Sequence, residues 1–230
     1  RQIEVIHFAP TDHENAAAAA RACRRTLERL HRERLLVRLE RRIGGARAGS
    51  ASFIYALGPV GHRVLALSTP RPRFREPSAT FADHTLAVTQ LVVDLTTHAR
   101  AGRCDLLVCQ PEPVCWRTFS LAGAAAVLRP DLFVAVGVDE FEYRWFCEID
   151  RGTEHLPALL RKCRTYEQYY ASGREQAAHG TFGQVCWIVP TKARADRLRA
   201  AIHADRRLTD ALFSVVTVDR AVGHLCGGAR

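Results

Sequence analysis

Residues 68–78 read Ser-Thr-Pro-Arg-Pro-Arg-Phe-Arg-Glu-Pro-Ser, with three prolines and four charged residues in eleven positions. Proline fixes φ, removes a backbone donor and pushes the residue before it out of the helical region, so neither a helix nor a central strand runs through such a stretch. The segment predicts an extended basic linker and therefore two domains, residues 1–67 and 79–230. A chain of 230 residues, 47% hydrophobic, has apolar content for two cores, which excludes disordered and low-complexity readings.

The two parts differ in charge. Residues 1–78 carry 15 Arg against 7 acids, whereas residues 79–230 carry 18 Lys and Arg against 17 acids. A basic field concentrated in the first third raises the local concentration of a polyanion, which makes double-stranded DNA the first partner to consider. A solvated Arg-rich helix is the alternative on charge alone.

The pattern over 12–32 is helical. Cys23, Leu27 and Leu30 recur at i, i+4 and i+7 on one face, and Arg21, Arg24, Arg25, Arg29 and Arg32 occupy the other. A short strand at 35–39, a Gly-rich tip at 41–50 holding Arg47, and a second strand at 52–57 follow. Helix, strand, basic glycine turn and strand make a winged helix-turn-helix. In that fold a helix enters a major groove about 12 Å wide and the hairpin tip lays arginines along phosphates or the minor groove. Arg47 is the expected wing contact. Such modules also dock proteins, and they commonly bind pseudo-palindromes as dimers, so the expectation is a homodimer.

No run approaches the roughly 18 apolar residues of a membrane helix, and the start has no signal-peptide core. The eight Cys form no C-x-x-C pair and read as buried thiols rather than disulfides or zinc ligands. A cytoplasmic protein that avoids membranes is expected. With no Met at all, the chain reads as trimmed.

The second part alternates helix and strand: a helix over 80–99 with His84 near its start, as a ligand, a base or a packing residue; strands at 105–109, 132–136 and 143–149; a helix over 156–170; a strand at 184–189; a helix over 192–203; and a strand at 213–218. This is a small α/β layer, so the whole chain is α+β. Asp131 opens one strand, and Glu148 and Asp150, two residues apart, close the next. Three carboxylates there would form a hard-oxygen site for Mg²⁺, able to orient a water and stabilise a phosphodiester transition state. Tyr166, Tyr169 and Tyr170 lie near Arg161, Lys162 and Arg164, either as a surface for stacking on bases or as packing against the sheet.

Arg129-Pro-Asp131, a hairpin and Glu148 resemble the PD-(D/E)XK nuclease core, which implies a restriction-endonuclease-like domain with Asp131 and Glu148 as its acids. Asp150 stands where that family has its catalytic Lys. Lys162, on the following helix, can substitute, and it is one of only two Lys in a chain with 31 Arg. The other reading is a degenerate core with these acids ion-paired to Arg151, Arg161 or Lys162.

The basic Gly-Gly-x-Arg-x-Gly-Ser turn, the linker, His84, Arg129-Pro-Asp131, Glu148-Ile-Asp-Arg-Gly-Thr-Glu154 and Leu160-Arg-Lys-Cys-Arg-Thr-Tyr166 together are similar to the replication-relaxation proteins of plasmids and integrative mobile elements. That resemblance implies a role in plasmid replication, copy control or DNA relaxation, with replication or conjugation proteins as partners. Metal-dependent cleavage is one outcome. A non-enzymatic transcriptional or replication regulator, its second domain dimerising or recruiting partners, is the other.

Overall fold

The computed structural model describes residues 1–39, 53–65, 78–121 and 123–227. The chain separates into two compact units, Arg1–Asp83 and His84–Arg230. The expected linker over 68–78, except Ser78, and the Gly-rich tip with Arg47 lie outside the described residues.

In the first unit a short helix α1 (Gln2–His7) and a 3-10 turn (Pro10–Asp12) precede the long helix α2 (Ala16–Arg32). Helix α2 begins four residues later than the apolar pattern alone suggests, because the Asn15 side chain caps it, accepting from Ala18 N at 2.9 Å. Its far end closes as a Schellman turn: Leu35 N donates to Leu30 O and Arg34 N to His31 O, with Arg34 in the left-handed region at φ 59°. The chain then forms β1 (Leu36–Leu39) and β2 (Ile54–Leu57), paired antiparallel, and α3 (Pro59–Leu65). Gly61 is required at the start of α3, since a Cβ there would sit 2.3 Å from Leu35 O.

The second unit is built on one mixed sheet. Helix α4 (Ala79–Arg100) leads into β3 (Asp105–Pro111), then a hairpin of β4 (Arg117–Leu121) and β5 (Ala124–Leu128), then β6 (Leu132–Val138) and β7 (Phe141–Ile149). Helices α5 (Leu156–Ala171) and α6 (Arg174–His179), strand β8 (Gln184–Val189), helix α7 (Lys192–Ala204), strand β9 (Phe213–Thr217) and helix α8 (Ala221–Gly227) complete it. The sheet order is β3-β6-β7-β8-β9. The β3/β6 and β6/β7 pairs are antiparallel, and the β7/β8 and β8/β9 pairs, joined by helical crossovers, are parallel.

Both faces of this sheet are covered, which explains why its central strands are continuous apolar runs. On one face Leu132, Val134, Val136, Trp145 and Cys147 pack with Leu91 and Leu95 of α4 and Leu225 of α8. On the other, Phe133, Phe146, Trp187 and Val189 meet Leu159 and Tyr166 of α5 and Leu198 of α7. The β4–β5 hairpin, which the sequence pattern does not reveal, closes the second layer with Phe119 and Leu128. Arg117 of β4 pins it by donating from Nε to the buried Glu175 Oε2 at 3.1 Å. The chain is therefore α+β, with a largely helical first unit and a central mixed sheet in the second.

Candidate functional site

Strand alternation sets the site. In β7 the side chains of Trp145 and Cys147 point to the α4 and α8 layer, so Phe146 and Glu148 point to α5. Pairing of Leu132 with Cys147 places Asp131, just before β6, beside Glu148. Asp131 Oδ2 accepts from Ile149 N at 2.7 Å, which locks the acid to the end of the neighbouring strand. Helix α5 then presents Lys162 and Tyr166, four residues apart and so on one face, the first to both acids and the second to Glu148.

The resulting contacts form one cluster. The Lys162 ammonium donates to Glu148 Oε2 and lies 3.5 Å from Asp131 Oδ1. Tyr166 donates its hydroxyl to Glu148 Oε1 at 2.5 Å. His84 Nε2, from α4, is 3.4 Å from Asp131 Oδ1. Glu148 is 1% exposed, and burial pushes its carboxyl up to about 8 although Lys162 and Tyr166 pull it down. Burial also opposes the Asp131 charge, but the His84 hydrogen bond and the Lys162 charge outweigh it and hold that carboxyl below its usual range. Burial likewise opposes the Lys162 charge, and Glu148 and Asp131 overcome it, holding the ammonium above its ordinary value. The hydrogen bond to Asp131 raises His84.

Asp150 does not join this group. Strand β7 ends at Ile149 and the chain turns through Gly152 at φ 80°, so the two-residue alternation from Glu148 is not continued by a strand. Asp150 Oδ2 accepts from Arg194 Nε at 2.6 Å and Oδ1 from Gly152 N at 2.8 Å. Arg194, on α7 behind its Thr191 cap, also donates to Glu154 O, so Asp150 ties the Asp150–Glu154 turn to α7. The oxygens of Asp131, Glu148 and Asp150 do not come together as a three-ligand group among the described residues. Arg194 lies 44 positions from Asp150, and no local motif signals the pair.

Tyr166 is also placed differently from a base-stacking residue. It is fully buried against Phe146 and spends its hydroxyl on Glu148, so as placed it offers no face to a nucleic acid. Tyr169 is buried too, bonded to Glu175, while Tyr170 is exposed beside Phe182. Spacing at i, i+3 and i+4 shows that these rings share a helix face, not whether the face looks outward.

In the first unit Arg21, Arg24, Arg25, Arg29 and Arg32 are all exposed along α2, opposite the buried Ala19 and Cys23. At 1.5 Å per residue the five guanidinium groups are spread over about 16 Å of helix.

A family model described as replication-relaxation matches residues 1–185. The chain belongs to the replication-relaxation family. The matched region includes α2, His84, Asp131, Glu148, Asp150, Lys162 and Tyr166, while Arg194, β9 and α8 follow it. Membership suggests a role in plasmid or mobile-element replication. No curated protein and no solved structure matches the chain. Among the described residues no helix is long and apolar enough to cross a membrane.

Proposed function

We propose that this replication-relaxation protein binds duplex DNA through its first unit and cleaves a phosphodiester strand with its second, at Asp131, Glu148 and Lys162. The observation that carries the reading is the Lys162 ammonium joining two buried carboxylates across the β6–β7 hairpin. In a chain with 31 Arg and two Lys, a structural ion pair would more readily use Arg, as Asp150 does with Arg194. The order of hairpin, helix and parallel strand supports a PD-(D/E)XK-like core, with Lys162 supplied from α5 in place of the strand lysine.

Mg²⁺ fits the donor set. Asp131 and Glu148 offer hard oxygens, and a divalent ion held by these two groups and several waters would displace the proton that burial favours on Glu148. When bound, it would supply an activated water and charge stabilisation at the phosphate. The chain's residues do the positioning. His84 and Ile149 N hold the two oxygens of Asp131, Tyr166 holds Glu148 Oε1, and Lys162 supplies a cation to the developing charge. The exposed arginines of α2 supply phosphate contacts of a winged helix on duplex DNA.

Incubation of supercoiled plasmid with the full chain in Mg²⁺, against EDTA and against Glu148→Gln, tests this reading. Metal-dependent nicking that the substitution abolishes while duplex affinity persists would support it. Duplex binding without nicking would leave a regulator whose second unit recruits partners.

A further inference from the structure

On the face of the sheet away from the Asp131–Glu148–Lys162 cluster, three other side chains converge. His98 lies in the last turn of α4, Cys104 just before β3, and Cys226 near the end of α8. Their ligand atoms all lie within 4.8 Å of one another, and among the described residues this is the one group of three His, Cys, Asp or Glu that does so. Local geometry brings the first two together: Gly102, at φ 68°, donates to Ala99 O, and Arg103 N returns to His98 O, folding Cys104 back beneath the helix end. Cys226 arrives from 122 residues away, on a helix docked by Leu225, whose carbonyl accepts from Trp145 Nε1 at 3.1 Å.

We propose that His98, Cys104 and Cys226 bind a thiophilic divalent cation, Zn²⁺ by preference. Two thiolates and an imidazole are a soft to borderline donor set that suits zinc and disfavours Mg²⁺ or Ca²⁺. Zn–S bonds of about 2.3 Å at a tetrahedral angle put two sulfurs about 3.8 Å apart. The two sulfurs here are 3.3 Å apart, so they need to open by only about half an ångström, whereas a disulfide would need them near 2.05 Å. Both thiols are buried and His98 is half-buried, which gives the ion a shielded sulfur side and an entry side at the helix end. Three protein ligands leave a fourth position for water. Because the ligands come from α4, the α4–β3 turn and α8, the ion would fasten the last helix to the sheet. Binding would release the two thiol protons. This site stands apart from the proposed nuclease cluster, and its failure would leave that reading unchanged.

The test is a Co²⁺ titration of the full chain, stripped of metal under reducing conditions. Expected are one equivalent bound, absorption bands of tetrahedral Co²⁺ with thiolate charge transfer, displacement by Zn²⁺, and a rise in Tm with free Zn²⁺. Cys104→Ser, Cys226→Ser and His98→Ala should each weaken binding by more than the roughly 10–100-fold cost of losing an outer-shell partner, with Cys109→Ser unchanged. The wild-type spectrum is informative even where a variant fails to fold. Absence of the charge-transfer bands at stoichiometric Co²⁺ would overturn the proposal, as would an unchanged spectrum in folded Cys226→Ser.

Discussion

Replacing Lys162 by Met keeps an unbranched apolar stem against the helix face and deletes the ammonium that joins Asp131 to Glu148. Glu148 then retains Tyr166 as its donor inside a nearly closed site. Breaking a buried pair by removing one partner costs about 3–5 kcal/mol when the remaining charge stays buried, but a carboxyl already raised to about 8 has a cheaper response, which is to keep its proton. The sign follows from linkage. In the wild type the folded chain binds a proton that the unfolded chain, with an ordinary value of 4.5, does not, so this group's contribution falls as pH rises from about 4.5 to about 8 and is then level. Without Lys162 the folded carboxyl rises further, and the falling limb extends above pH 8 by up to about 1.4 kcal/mol per unit. The variant should therefore lose about 1–3 kcal/mol near pH 6, where a hydrogen bond to a charged group is the main loss. The deficit should widen between pH 8 and 9 toward the ceiling of about 3–5 kcal/mol. Urea denaturation of both proteins in EDTA at pH 6, 7, 8 and 9 measures this. A deficit that stays constant across the series would refute the claim that Lys162 controls the Glu148 proton.

Other consequences can be checked separately. Gly61→Ala puts a Cβ 2.3 Å from Leu35 O, so α3 has to shift, at an expected cost of about 1–3 kcal/mol in a small unit, read by denaturation. Asp131→Asn removes the hydrogen bond that raises His84, whose contribution to stability is present at low pH and lost as pH rises through its folded value. An NMR titration of His84 should then move down, and an unchanged curve would mean the contact is absent in solution. Arg24→Ala with Arg25→Ala should weaken duplex binding and reduce the slope of log K against log salt by about 1.8 if both meet phosphates, whereas an unchanged slope would take this face of α2 off the DNA.

The central strands and long helices of the second unit were legible because they bury apolar runs on both faces. Strand β8 falls at 184–189 as the pattern predicts, and α5 and α7 start where expected. Strands β4 and β5 were not legible: Ala124-Ala-Ala-Val-Leu128 has no strong β-formers besides Val127, and the hairpin is held by Phe119, Leu128 and the Arg117–Glu175 pair, contacts that exist only in the fold. Helices α1, α6 and α8 have six or seven residues, too short for propensity to decide. Within the site, Asp131 and Glu148 stood out as acids at the ends of adjacent strands, and Lys162 as a rare lysine. Asp150 lies past the end of β7, where strand alternation no longer sets its direction, and Tyr166 turns inward because Leu159, Cys163 and Tyr166 share the buried face of α5. His98, Cys104 and Cys226 escaped for the opposite reason, since two short spacings and one of 122 residues make no motif.

The proposed cation site at Asp131 and Glu148, served by Lys162, is open to one direct measurement. Calorimetric titration of the full chain with Mn²⁺, after a single equivalent of Zn²⁺ to fill the sulfur site and with no free Zn²⁺ left to compete for carboxylates, measures that site directly. One Mn²⁺ bound by the wild type and lost in Asp131→Asn is the expected result. Equal binding by both proteins, or none by the folded wild type with duplex DNA present, would contradict it.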